Sequence, residues 1–79
     1  MTLTIDTEDP EILWILGRPA FVCGPIAHIL QAAGHPIRKR CEDEQAAVII
    51  WMIQKYQQHG SEWRRLGDEE LIALSKAHS

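Results

Sequence analysis

The stretch Glu42–His59, EDEQAAVIIWMIQKYQQH, constrains the fold of this chain more than any other part of it. It contains no Gly or Pro, and it opens on Glu42, Asp43, Glu44 and Gln45. Negative charge is stabilised at a helix N-terminus, where backbone N–H groups lack partners. Gly60 comes next, a residue that tolerates the positive φ common just past a helix end. Ala46, Ile49, Ile50, Ile53 and Tyr56 recur at helical spacing. A second apolar set, Ala47, Val48, Trp51 and Met52, lies off that stripe, with Lys55 facing the same way. A helix apolar on two sides has to be covered on two sides. The stretch therefore predicts a central helix over about 42–59, wrapped by the other helices or shared with a second chain. The β-branched run Val48, Ile49, Ile50 would also suit a strand, but the length and the flanking charges favour helix. Ile49, Ile50 and Ile53 are the residues expected to be nearly fully buried, with Ile26, Ile29 and Leu30 packed nearby.

A chain of 79 residues has room for one domain, residues 1–79, and buries a modest fraction of its surface. Oligomerisation is a common remedy for so small a core. The 46% hydrophobic content excludes global disorder. The net charge of −3 argues against a general nucleic-acid binder, though not against a local basic patch. The N-terminal residues MTLTIDTEDPE lack the basic and apolar regions of a secretory signal, so a cytoplasmic protein is expected. In that compartment Cys23 and Cys41 are expected to be free thiols. The apolar run Ala46 to Ile53 is too short to span a membrane.

From the N-terminus, Thr2 to Ile5 alternates polar and apolar residues, as an edge strand or an extended arm would. Asp9-Pro10-Glu11 is a helix start, with Asp9 as cap and Pro10 in the first helical position. Ile12 to Leu16 then supplies large apolar side chains up to Gly17. A buried strand would give the same run; the Asp-Pro start favours helix. Pro19 to Gly34 holds a second helix, expected to kink or restart at Gly24-Pro25 because proline lacks the backbone N–H. Its apolar stripe is Ile26, Ile29, Leu30 and Ala33, with His28 and Gln31 turned away. His35-Pro36 enforces a non-helical link, and Ile37 is placed to dock that loop. After Gly60, Ser61 caps a short turn, Glu62 to Leu66, and Gly67 is expected to break it. Asp68 then starts a last helix with Glu69 and Glu70 in its first turn, Lys76 and His78 near its end, and Leu71, Ile72 and Leu74 on its apolar face. The expected fold is all-α: a compact bundle of four main helices plus a short turn around the central helix.

Cys23, His28, His35 and Cys41 are the set from which a metal site would be drawn, but their spacings match no paired-ligand pattern. Cys23 and His28 are five residues apart and do not share a helical face. The acidic clusters at Asp6 to Glu11 and Glu42 to Glu44 sit at helix starts, where acids serve the helix itself. No P-loop, dinucleotide fingerprint or nucleophile elbow is present. Neither an enzyme nor a cofactor is expected.

The residues leave two binding classes. Arg38, Lys39 and Arg40, with Arg64 and Arg65, are able to contact phosphates in a helix-turn-helix reading of Ile26 onward. Against that, the would-be recognition helix begins Glu42-Asp43-Glu44, and its middle is too apolar for a groove. The basic run then reads as a solvated loop pairing with adjacent acids. Protein binding fits better, through Trp51, Trp63, Tyr56, Arg64 and Arg65, residue types that carry much of the energy of interfaces. Trp14 and Trp51 are expected in the core. Trp63, flanked by Glu62, Arg64 and Arg65, is expected to be partly exposed.

The stretch Glu42 to Arg65, EDEQAAVIIWMIQKYQQHGSEWRR, resembles small accessory proteins of temperate phages and prophages in general character. That resemblance implies stoichiometric binding of one host protein, as a takeover factor, counter-defence inhibitor or regulator, and assigns no residue a role. The expectation is a cytosolic interaction protein with a protein partner. A small DNA-binding regulator using Arg38 to Arg40 is the alternative. A symmetric homodimer is also expected, with Trp51 or Trp63 at or near the interface, because the second apolar face of the central helix needs a cover.

Overall fold

Asp9 and Pro10 start the first helix as their chemistry dictates. In the computed structural model, which describes residues 5–77, α1 (Pro10–Leu16) is capped by the Asp9 carboxylate, which accepts the Glu11 N–H at 2.9 Å. Residues 2–4 of the expected N-terminal arm, and His78, lie outside the described residues; Ile5 is in no regular element. Ile12 and Ile15, three apart, point into the core, while Leu13, Trp14 and Leu16 face outward.

α2 (Ala20–Ala32) runs unbroken through Pro25, with no restart there. Its buried residues are Cys23, Ala27 and Leu30, spaced i, i+4, i+7. Two of these are small and let the helix approach its neighbour closely. α3 (Cys41–His59) opens on its acidic turn, and a turn of 3₁₀ helix (Gly60–Glu62) joins it to α4 (Trp63–Ala77). Helical structure is thus continuous over 37 residues. A straight helix of that length would measure about 55 Å, whereas the longest dimension of the molecule is 37 Å. The chain turns at Gly60, whose φ of 60° and ψ of −137° suit glycine and strain any residue with a Cβ.

α4 folds back along α3. Lys55 Nζ meets Glu70 Oε2 at 2.8 Å, and the Trp51 ring lies against Gly67. The result is an all-α compact globule with no strand among the described residues. Its radius of gyration is 12.3 Å, near the roughly 11.6 Å expected of a folded chain this long. α3 touches α1, α2 and α4 and supplies Val48, Trp51, Met52 and Ile53 to one core shared with Ile12, Ile15, Cys23, Ala27, Leu30 and Trp63.

The structure corrects several expectations. Ile50 is 43% exposed and Ile49 only half-buried; of the three isoleucines, Ile53 alone is fully inside. The core takes Val48, Trp51 and Met52 from the second apolar set of α3 and Ile53 from the first, and polar residues along the helix are bonded to other elements. Gln45 Nε2 donates to the Arg18 carbonyl at 2.8 Å, Gln31 Nε2 to Glu44 at 3.2 Å, and Tyr56 Oη to Asp9 at 2.7 Å. Gly67 does not break a turn from a helix: α4 passes straight through it. A Cβ there would stand 3.3 Å from Trp51 Cη2, so the missing side chain is what seats the indole. Trp63 is 4% exposed, not partly exposed, and Trp14 is 37% exposed, not core. The two exchange roles because the Trp63 N–H reaches the Glu11 carboxylate and can be buried, whereas Trp14 stands on the outer side of α1.

Ile53→Ala should lose about 2–5 kcal/mol, while Ile50→Ala should lose less than about 1 kcal/mol. Urea unfolding followed by circular dichroism measures both, and equal losses would contradict this burial pattern. Gly67→Leu should destabilise by about 1–3 kcal/mol through overpacking, despite the better helix propensity of leucine. A gain in stability would show that Trp51 is not seated on Gly67.

Candidate functional site

The N-terminus of α1 is tied to α3 and α4 by two carboxylates. Asp9 accepts from Tyr56 Oη at 2.7 Å as well as from its own helix. Glu11 Oε1 accepts from Trp63 Nε1 and from Arg64 Nε, each at 2.7 Å. The bond from Tyr56, followed by the Glu11 backbone N–H, holds the Asp9 carboxyl below its ordinary range. The Arg64 bond does the same for Glu11; partial burial opposes it and the Trp63 bond adds to it. The phenol of Tyr56 is pushed up by the same Asp9 bond.

Above this clamp two guanidinium groups lie over the exposed Trp14 ring. The Arg18 Cζ is 3.7 Å from its centroid and the Arg64 Cζ 4.0 Å. Trp14 and Trp63 meet edge to face at 6.2 Å. Arg18 Nε donates to the Trp14 carbonyl at 2.8 Å, and this fixes its position over the ring.

From Trp14 an apolar groove runs between α2 and α4. Of about 310 Å³, it has Val22 and Ile26 on one wall, Arg64, Asp68 and Leu71 on the other, and Trp51, Met52 and Trp63 beneath. A second depression of about 260 Å³, also bordered by Leu71, lies between Ile29 and the Ile72, Ser75 and Lys76 positions of α4. Gly67 helps to open the groove, since it contributes no side chain to the α4 wall. Ile72, on the rim, is 56% exposed, and Phe21, beside Val22 in the first turn of α2, is 82% exposed. A separate depression lies between the 35–37 loop and α3, with Leu30, Ile37, Ala47, Ile50 and Trp51 in its lining. The loop residue Ile37 docks on the core there, as its sequence position suggests.

The sequence-predicted site residues are only partly brought together. Trp51 and Trp63 are buried within the chain and form the floor of the groove. Arg64 stands on its rim. Tyr56 is half-buried and bonded to Asp9. Arg65 pairs with Glu62 at 2.9 Å and Glu69 at 3.2 Å along α4, which raises its pKa further. Arg38, Lys39 and Arg40 are exposed in the link before α3; Arg40 contacts Glu42 and lies 3.7 Å from Asp43. Cys23 is a buried free thiol whose pKa is raised by burial, and Cys41 is free and exposed. Among the described residues no three His, Cys, Asp or Glu side chains are grouped so as to hold a metal ion. No single described helix is long and apolar enough to cross a membrane.

Sequence reasoning missed Trp14, Phe21 and Ile72 as surface residues. The available signal was the α2 stripe Cys23, Ala27, Leu30, which leaves Phe21 on the opposite side; two small residues hid it. Compared with known proteins, the chain matches no family model, no curated protein and no solved structure.

The carboxylate clamp has a pH signature. Glu11 has a lowered folded-state pKa, so its stabilising contribution is present at neutral pH and is lost as pH falls through that pKa. Glu11→Gln should therefore melt below the parent at pH 7, and the gap should close as the solution is acidified through the carboxylate range. A gap in melting temperature that stays constant with pH would show that the Glu11 charge contributes nothing to docking α1.

Proposed function

We propose that this chain is a small interaction protein that acts by stoichiometric binding of another protein, with the α2–α4 groove as its contact surface. One observation carries the reading. A chain with a core this small leaves two apolar depressions open between α2 and α4, with Ile72 exposed on one of them and Phe21 exposed on α2. Exposed apolar surface of this kind is characteristic of interaction sites. The scaffold is read as a bundle of four main helices around α3, which keeps the two walls rigid. The resemblance of residues 42–65 to phage and prophage accessory proteins suggests the same mode of action, on a cytoplasmic host protein. Neither a cofactor nor catalysis enters this reading.

The basic run supports a DNA-binding reading less well. Arg40 is engaged by Glu42 and Asp43, and three acids occupy the first turn of the helix that would have to enter a groove.

The test is affinity capture from native cytoplasm with the parent chain, Ile72→Arg and a triple Glu replacement of Arg38, Lys39 and Arg40. A protein held by the parent and by the triple variant, in one-to-one ratio, and lost with Ile72→Arg is the expected result. Tight, salt-sensitive retardation of DNA by the parent, abolished in the triple variant, would overturn it.

A further inference from the structure

The second apolar side of α3 is covered within the chain, since Val48, Trp51 and Met52 are buried. The helix left without a cover is α2. It contains no Asp, Glu, Lys or Arg, and between Glu11 and Arg38 the sequence has one such residue, Arg18. The outer face of a surface helix is ordinarily charged or polar. On α2 that face is Phe21, Pro25, His28 and Ala32, all exposed, with Phe21 82% exposed. We propose that two copies of the chain pair on this face, with their α2 helices antiparallel across a two-fold axis. The contact is separate from the depressions between α2 and α4.

The spacing fixes the arrangement. Phe21, Pro25, His28 and Ala32 stand at i, i+4, i+7 and i+11, on one side of the helix, in an order that reads the same from either end. A two-fold axis midway between Ile26 and Ala27 therefore sets Phe21 of each copy across from Ala32 of the other, and Pro25 across from His28. A large apolar side chain meets a small one at both ends of the contact. Parallel helices would crowd Phe21 against Phe21 and leave a gap at Ala32. Gly24, beside Pro25, adds no side chain, and a Cβ there would have no neighbour within 4 Å in its own chain, so the helices can approach closely at that point.

Charge selects the occupant. In a two-fold interface a patch meets itself, so any fixed charge on it meets its like. The α2 face carries none from Asp, Glu, Lys or Arg, and His28 is tied to Glu44 of its own chain at 3.2 Å. The net charge of −3 lies elsewhere on the chain, where it opposes the approach of a second copy. A bilayer fits less well, because helices that lie on membranes carry Lys or Arg along their polar side and α2 has neither. A foreign protein would find no charge on this face to select it.

The area indicates a reversible dimer. A standard interface buries about 800 Å² on each partner. A 13-residue helix is about 20 Å long and about 10 Å wide, so α2 supplies part of that. Exposed Leu13 and Leu16 continue the apolar surface at the corner where α1 meets α2 at 84°.

The test is sedimentation equilibrium of the whole chain at micromolar concentrations. The parent should be a dimer. Phe21→Glu and Ala32→Lys should each weaken association roughly tenfold or more. The double variant should recover it, because the new Glu and Lys stand eleven residues apart in one chain and meet only across the two copies. Circular dichroism checks that each variant remains folded. A parent monomeric throughout would overturn the proposal, as would a dimer indifferent to Phe21→Glu or a double variant no better than the singles. Binding of the monomeric parent to phosphatidylserine vesicles, lost with Phe21→Glu, would give the face to a membrane and also overturn it. Ile72→Arg should stay dimeric. A dimer dissolved by Ile72→Arg and not by Phe21→Glu would place the contact at the depressions and refute the α2 pairing. Capture of a host protein that depends on Ile72, by a parent that remains monomeric, would leave the protein-binding reading standing and refute the dimer alone.

Discussion

Trp51 seated on Gly67 is the contact that sets the positions of the other elements. Gly60 turns the chain, but the turn by itself does not decide where α4 comes to rest. The indole does so, by lying against a position on α4 with no side chain. A glycine in a helix interior is destabilising by about 1 kcal/mol relative to alanine. Here that cost is offset by burying an aromatic ring between two helices. The Lys55–Glu70 pair then lines up the two helices further along.

That seating also makes the groove. With α4 held close to α3 at Gly67, Trp51 and Met52 form a floor and do not rise between α2 and α4. The same arrangement brings Trp63 and Arg64 to Glu11, so the shortest helix is fastened by charge-assisted hydrogen bonds as well as by Ile12 and Ile15. α1 has only two buried side chains. Its position, and with it the Trp14 end of the groove, therefore leans on Asp9 and Glu11 more than a longer helix would. Stability, groove shape and the charge at the groove mouth are thus coupled through one small set of residues.

Much of this was legible in the residue order, and the reasons are local. The Asp9-Pro10 start, the acidic opening of α3 and the glycines after α2 and α3 are signals set by backbone chemistry within a few residues, and the helices begin and end accordingly. The all-α class and the central place of α3 come from the same signals together with its two-sided apolarity. The groove was not legible. Its walls come from residues that periodicity counts as core, Ile26, Ile29 and Leu71, and exposed Ile72 is as apolar as anything inside.

Residue order settles where α1 and α3 begin and where α2 and α3 end, because caps and glycines there act through the nearest backbone groups, whereas Pro25 and Gly67 lie inside unbroken helices. Long-range packing settles which face of α3 is buried, which tryptophan is exposed, and whether Gly67 ends a helix or admits a ring. Those outcomes depend on partners far along the chain: Gln45 on Arg18, Tyr56 on Asp9, Trp63 on Glu11, Trp51 on Gly67. A polar residue on a helix face counts against burial until the group that bonds it is known. A glycine counts as a break until the side chain that fills its place is known.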